Sequence, residues 1–167
     1  MGLFDFFRRK SEVNFNLEGE IEAISILNAG ILFEDSKKLL KWGVPVSDLA
    51  KQVEVNEKKF ADRTVYNWGQ HAIIGGLKLE LSTVYWNHRA DCIDKKFNSI
   101  EFSAIGDDNA GNYLRLVGMH LENKFGPGQP IADEPNGYFE WHVHGVRITL
   151  CFMERVANKL HLKIEKI

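Results

Sequence analysis

The chain has 167 residues, of which 44% are hydrophobic and 26% charged, with 21 Lys+Arg against 23 Asp+Glu. That is the composition of one globular domain, and it excludes a disordered chain, a collagen-like fibre and a multi-domain machine. The formal net charge of −2 lacks the cationic excess that non-specific nucleic-acid binding requires, so no nucleic-acid partner is expected. No apolar run is long enough for a transmembrane helix.

The two cysteines, Cys92 and Cys151, are too few for a disulfide framework and fit reduced thiols in a cytoplasmic protein, a single bridge between them being the alternative. Residues 1–14 form a separate aromatic and basic segment, and 15–167 a single domain. The start is no signal peptide, because Arg8, Arg9 and Lys10 follow the short apolar stretch instead of preceding it. Gly2 suggests myristoylation, but position six holds Phe6 where that motif wants Ser or Thr. The segment is expected to lie against the domain or loose. A weak interfacial anchor, with Phe4, Phe6 and Phe7 in lipid, is the other reading. Residues 11–36 then carry Glu12, Glu18, Glu20, Glu22, Glu34 and Asp35 with no Lys or Arg. Such a run is either a solvated face or a surface tuned to a basic partner.

Leu17, Ile21, Ile24 and Leu27 fit a helix face, and Ile31-Leu32-Phe33 reads as a strand beyond the Asn28-Ala29-Gly30 break. A strand over 39–43 ends at Gly43. Pro45 opens a short helix over 46–53 that buries Leu49 and Val53. Gly75-Gly76 marks a turn between Ile73-Ile74 and a run in which Leu77, Leu79 and Leu81 alternate with Lys78, Glu80 and Ser82. A second alternating strand covers 99–105. Asp107, Asp108 and Asn109 are N-cap candidates for a helix whose apolar positions are Tyr113, Leu114, Leu116, Val117, Leu121 and Phe125, closed by Gly126-Pro127. Residues 126–137 form a loop. An antiparallel meander follows: a strand over 138–144, a turn at Gly145, a strand from Val146, a turn at Ala157-Asn158 and a last strand through Leu160, Leu162 and Ile164. The clean alternation predicts an α+β fold, a mostly antiparallel sheet of about six or more strands with helices packed on one face. The 107–125 helix is expected over Leu77, Leu79, Leu81, Ile100, Phe102, Ile148 and Leu150.

Chemistry is sparse. His142 and His144, two apart on a predicted strand, would project from one face and could chelate a transition metal. The third ligand would come from His71, His88, Asp91, Cys92 or His161. The spacing matches neither a structural zinc site nor a helical zinc protease, and on a strand the pair also fits a plain solvent face. Nothing fixes a Cys–His pair, and no nucleophile elbow is present. Gly126-Pro127-Gly128 follows a helix, whereas a phosphate cradle precedes one. Asp107-Asp108 is explained by capping. Trp42, Trp68, Trp86 and Trp141 lie in or beside strands. Trp86 next to Tyr85 faces the opposite way, so one of the two is a candidate interface anchor.

The run Leu39-Leu40-Lys41-Trp42-Gly43-Val44-Pro45-Val46-Ser47-Asp48-Leu49, the helix end Asn123-Lys124-Phe125-Gly126-Pro127 and the meander from Trp141 resemble small bacterial α+β proteins of the immunity kind, which accompany polymorphic or contact-dependent toxins. The resemblance implies a cytoplasmic protein that works by binding, and it transfers no site residue. The expected function is therefore non-enzymatic and cofactor-free: an acidic and aromatic surface, Glu18, Glu20, Glu22, Glu34, Asp35 and Trp86, docks on a protein partner such as a toxin domain and blocks its active site. A metal-binding protein or metal-dependent enzyme using His142 and His144 is the alternative.

Overall fold

The computed structural model describes residues 24–86, 95–105, 107–131, 138–154 and 158–167. The run 1–23, with its predicted anchor and with Glu18, Glu20 and Glu22, lies outside the described residues. So do the loop 87–94, with His88, Asp91 and Cys92, and the side chains of the Asp107, Asp108 and Asn109 caps. Strands β1 (Gly30–Phe33) and β2 (Lys38–Lys41) make a small hairpin, and a 3-10 turn (Val46–Asp48) runs into the short helix α1 (Leu49–Gln52). Then come β3 (Asn56–Lys59), β4 (Arg63–Ile73), β5 (Leu77–Trp86), β6 (Ser99–Ile105), the long helix α2 (Asp107–Phe125), β7 (Gln129–Pro130), β8 (Tyr138–Val143), β9 (Val146–Glu154) and β10 (Asn158–Lys166).

The large sheet is eight-stranded, ordered β3-β4-β5-β6-β10-β9-β8-β7, with every pair antiparallel. The fold is α+β, as the alternation predicts. After β6 the chain leaves the sheet through α2, returns at the far edge, and comes back strand by strand until β10 closes on β6. The in-register pairs Leu162–Phe102, Ile164–Ile100, Leu162–Leu150 and Ile164–Ile148 put these apolar side chains on one face. That face is the core, and each of these six residues is buried.

Helix α2 crosses this face over β10, β6 and β9. It buries Ala110, Val117 and Leu121, at the i, i+7, i+11 spacing of one helical stripe, and Tyr113 meets the Phe102 ring at 4.8 Å. Leu116, counted among the apolar positions of this helix, is 54% exposed. The helix is not the cover for β4: that end of the sheet is roofed by β1, whose Phe33 meets Trp68 edge-on at 6.2 Å. Hydrogen bonds from Gly43 N to Phe97 O and from Phe97 N to Val44 O tie the loop before α1 to the segment before β6.

Three local features depart from the period-two reading. Strand β3 is fully exposed and carries no apolar alternation. It is an edge strand bearing Lys58 and Lys59, which discourage pairing with another chain. Strand β4 has a bulge between Asn67 and Gly69, with Gly69 at φ 75° and its N–H bonded to Asn67 Oδ1 at 2.6 Å. The predicted strand over 138–144 stops at Val143: His144 (φ 50°) and Gly145 (φ 70°) are the two left-handed residues of a tight hairpin turn between Val143 and Val146.

Gly30 fixes the closeness of the β1–β2 hairpin. A Cβ there would stand 2.3 Å from Leu40 O and 2.9 Å from Lys41 Cα, both backbone atoms that cannot swing away. Gly30→Ala is therefore expected to lower unfolding free energy by about 1–3 kcal/mol through forced separation of the strands. A urea titration of the two proteins measures it, and an unchanged midpoint contradicts the steric argument.

Candidate functional site

The face of the sheet away from α2 has alternating polar and charged residues. At one end of it the β3–β4 turn, closed by a hydrogen bond from Phe60 N to Arg63 O, sets Phe60 and Arg63 beside the end of β5. Arg63 stands opposite Trp86 in register. Its guanidinium carbon lies 4.8 Å from the Phe60 ring centre and 5.1 Å from that of Trp86, a cation held between two rings. Asp62 takes only Nη1, at 3.0 and 3.1 Å, so other Arg63 donors remain for a visitor. Phe60 is 47% exposed.

A single pair, Ser82–Glu101, joins β5 to β6 in register. Beyond it lies a cleft of about 550 Å³, lined among others by Arg63, Trp86, Lys95, Lys96, Ser99 and Lys163. Lys163 is paired with Glu165 at 2.5 Å. Lys95 and Lys96 form no ion pair among the described residues, yet their backbone is firmly placed. Val46 N donates to Lys95 O at 2.6 Å, Tyr85 Oη donates to Lys96 O at 3.3 Å, and Pro45 bridges to Lys96. The one carboxylate lining the cleft among the described residues, Glu101, is engaged with His161, whose Nε2 lies 3.4 Å away.

That contact holds Glu101 below the ordinary 4.5, outweighing the opposing effect of burial, with Lys163 and Lys159 helping. A carboxylate depressed in the folded state contributes stability that is present above its unfolded value and lost as pH falls through the folded one. Glu101→Gln is therefore expected to flatten the acid side of the stability curve. Urea midpoints at about pH 7 and about pH 3 should differ less in the variant than in the wild type. An equal difference in both proteins counts against the pair.

The residues proposed from sequence do not converge. Glu34 and Asp35 sit at the opposite end of the β4–β5 hairpin, on the core side, and both are engaged within the fold. The Glu34 carboxylate accepts from Gly75 N at 2.6 Å and Gly76 N at 2.7 Å. Asp35 meets His71 Nδ1 at 2.9 and 3.0 Å, and the imidazole lies flat on Phe33 at 4.4 Å. His71 lies eight residue steps along β4 from Arg63, about 26 Å of strand, so Trp86 is not in one patch with Glu34 and Asp35. Near His71 a second cleft, of about 620 Å³, runs between the β1–β2 turn, the segment after α1 and the β4 bulge. Trp68 is in its wall, and the Trp68 indole N–H is buried with no acceptor among the described residues.

The structure corrects the placement of His142 and His144. Side chains two apart share a face only if both residues are in the strand, and His144 belongs to the left-handed turn. His142 instead contacts Glu140 on the same strand. Among the described residues no three His, Cys, Asp or Glu side chains gather as a metal site. Cys151 and His161, unconnected by any sequence pattern, are cross-strand partners on the outer face, but the thiol is only 2% exposed. Reactive cysteines need access.

Sequence reasoning found Trp86 and missed Phe60, Arg63, Lys95 and Lys96. Their association depends on the register of β4 against β5 and on backbone ties between segments far apart in sequence. Compared with protein-family models, with curated proteins and with solved structures, the chain finds no match.

Proposed function

We propose that the chain is a non-enzymatic protein-binding domain whose contact surface centres on Trp86. The observation that carries this reading is the contact of Arg63 with both the Phe60 and Trp86 rings at one end of the sheet, where Phe60 is 47% exposed. Arg and Trp are the residues most often responsible for binding energy at protein interfaces, above all when their side chains are already held in place. The specific version is a cytoplasmic immunity protein: the domain seats on a toxin and occludes its active site. Support for that version comes from the sequence resemblance. In addition, no helix among the described residues is long and apolar enough to cross a membrane. The reading needs nothing from Glu34 and Asp35, whose carboxylates have partners inside the fold.

The test uses the full chain and its Arg63→Ala, Trp86→Ala double variant as baits in host lysate. The wild type is expected to retain one protein stoichiometrically. The variant should lose it roughly tenfold or more, since two anchor side chains are removed. That protein, expressed alone, should arrest growth, and co-expression of the chain should restore it. A retained protein indifferent to both substitutions overturns the site, and a harmless one overturns the toxin version.

A further inference from the structure

We infer that the cleft beside Trp86 receives an acidic segment of the partner, a run of Asp or Glu side chains laid across Lys95, Lys96 and Arg63. This rests on the protein-binding reading above and specifies its partner. Among the described residues the lining has four cations, Arg63, Lys95, Lys96 and Lys163, against one carboxylate, Glu101, and Glu101 already faces His161. Lys163 is likewise occupied by Glu165. Among the described residues the uncompensated positive charge is thus on Lys95 and Lys96, whose carbonyls are fixed by Val46 N and Tyr85 Oη, and on the Arg63 donors that Asp62 leaves open. The fixed backbone sets both lysine stems at the cleft, and the planar Arg63 guanidinium, already in contact with two rings, loses less freedom per hydrogen bond than a lysine does.

The Arg63 guanidinium, in contact with two rings, is suited to the two oxygens of a carboxylate. Exposed Phe60 at the rim adds apolar area for the stem of an Asp or Glu side chain or its neighbour. A nucleic acid would meet the same cations, but at a formal net charge of −2 the chain has no cationic excess to hold an extended phosphate backbone, whereas a short acidic segment needs only the cleft. The inference reverses the electrostatic sense drawn from the 11–36 run: the partner brings the acid and this chain the base.

The probe is fluorescein-labelled decaglutamate, followed by anisotropy with the full chain, alongside decalysine and an oligothymidylate. Wild type is expected to saturate with decaglutamate and to release it as salt rises from about 50 to about 300 mM. Lys95→Glu with Lys96→Glu should weaken binding roughly tenfold or more, whereas Lys51→Glu with Lys78→Glu, the same charge change elsewhere, should alter it less than about twofold. Matching urea midpoints establish that both doubles fold. No saturation, equal loss in the two doubles, or tighter binding of oligothymidylate overturns the inference. A captured partner that the Lys95→Glu, Lys96→Glu bait still retains overturns the acidic-segment site and leaves the protein-binding reading standing. Decaglutamate binding without any captured protein does the reverse.

Discussion

Phe97→Ala is expected to lower unfolding free energy by about 3–5 kcal/mol, the range for emptying a fully buried phenyl site. Phe97 is 0% exposed and stands where the two parts of the core meet. Its ring stacks on Trp42 at 5.1 Å and meets Trp68 edge-on at 5.9 Å, so it joins the cover layer to β4. Its own N–H and carbonyl are bonded to Val44 O and Gly43 N at 2.8 and 2.7 Å. Truncation leaves those backbone bonds in place and opens a void between two indole rings, neither of which can collapse into it without leaving its strand or turn. Urea unfolding followed by near-ultraviolet circular dichroism reads both the loss and the changed aromatic environment. Phe97→Leu, which refills most of the volume, should recover more than half of the loss. If alanine costs less than about 1 kcal/mol, the ring is not a keystone of the core. Because Phe97 follows Lys95 and Lys96, the leucine variant should also keep decaglutamate binding, which separates support of the fold from contact with a ligand.

The strands that were legible in the sequence are those whose alternation is unbroken. Leu77, Leu79 and Leu81 on β5, Ile100, Phe102 and Ala104 on β6, and Leu160, Leu162 and Ile164 on β10 are all buried, and each strand was placed by period two alone. Helix α2 was legible because its buried stripe lies between an acidic start and the Gly126 stop, where Gly126 takes φ 79°. Edge strand β3 has no buried face and so leaves no period to find. His144 had a local signal that the alternation hid: a residue followed by Gly, flanked by two β-branched valines, is also the pattern of a two-residue left-handed turn.

The candidate site was less legible, for a reason of register. Ile73 faces Leu77 across the Gly75-Gly76 turn; counting outward in step would set Trp86 opposite Thr64. The extra residue at the Asn67–Gly69 bulge moves Trp86 opposite Arg63 instead, and a one-residue slip exchanges the faces of a strand. The cation held between Phe60 and Trp86 is thus a product of the bulge, and strand alternation alone points to the wrong neighbour. Nor could charge counting find it. The acidic run of 11–36 dominates the sequence, yet its described members are used within the fold, while Lys95 and Lys96 are an unremarkable pair until the ties from Val46 and Tyr85 place them beside Arg63.

Glu34→Ala separates these two views of the acidic run. The turn from Ile73 to Leu77 passes through Ile74, Gly75 and Gly76 at φ 50°, 75° and 93°, three consecutive left-handed residues that leave their N–H groups without a strand partner. The Glu34 carboxylate takes two of them, and Glu34 N donates to Ala72 O at 2.9 Å, so one residue of the β1–β2 turn clasps the end of the β4–β5 hairpin. Gly75 is buried, and its N–H has no water to fall back on once the carboxylate is gone. Gly76 is exposed, and water can replace its partner. The expected loss is therefore that of one charge-assisted bond in full and part of a second, about 2–3 kcal/mol. For a domain of this length that is a fall in Tm of about 4–12 °C. Glu34→Gln keeps one acceptor oxygen and should lose about half as much. Amide exchange at Gly75 and Gly76 should accelerate in the alanine variant while exchange at Trp86, about 33 Å along the hairpin, stays as it was. Decaglutamate binding and capture of the partner should be unchanged. A Glu34→Ala protein that is as stable as wild type but no longer captures its partner would make this carboxylate an interface residue after all, and would return the acidic run to the contact surface.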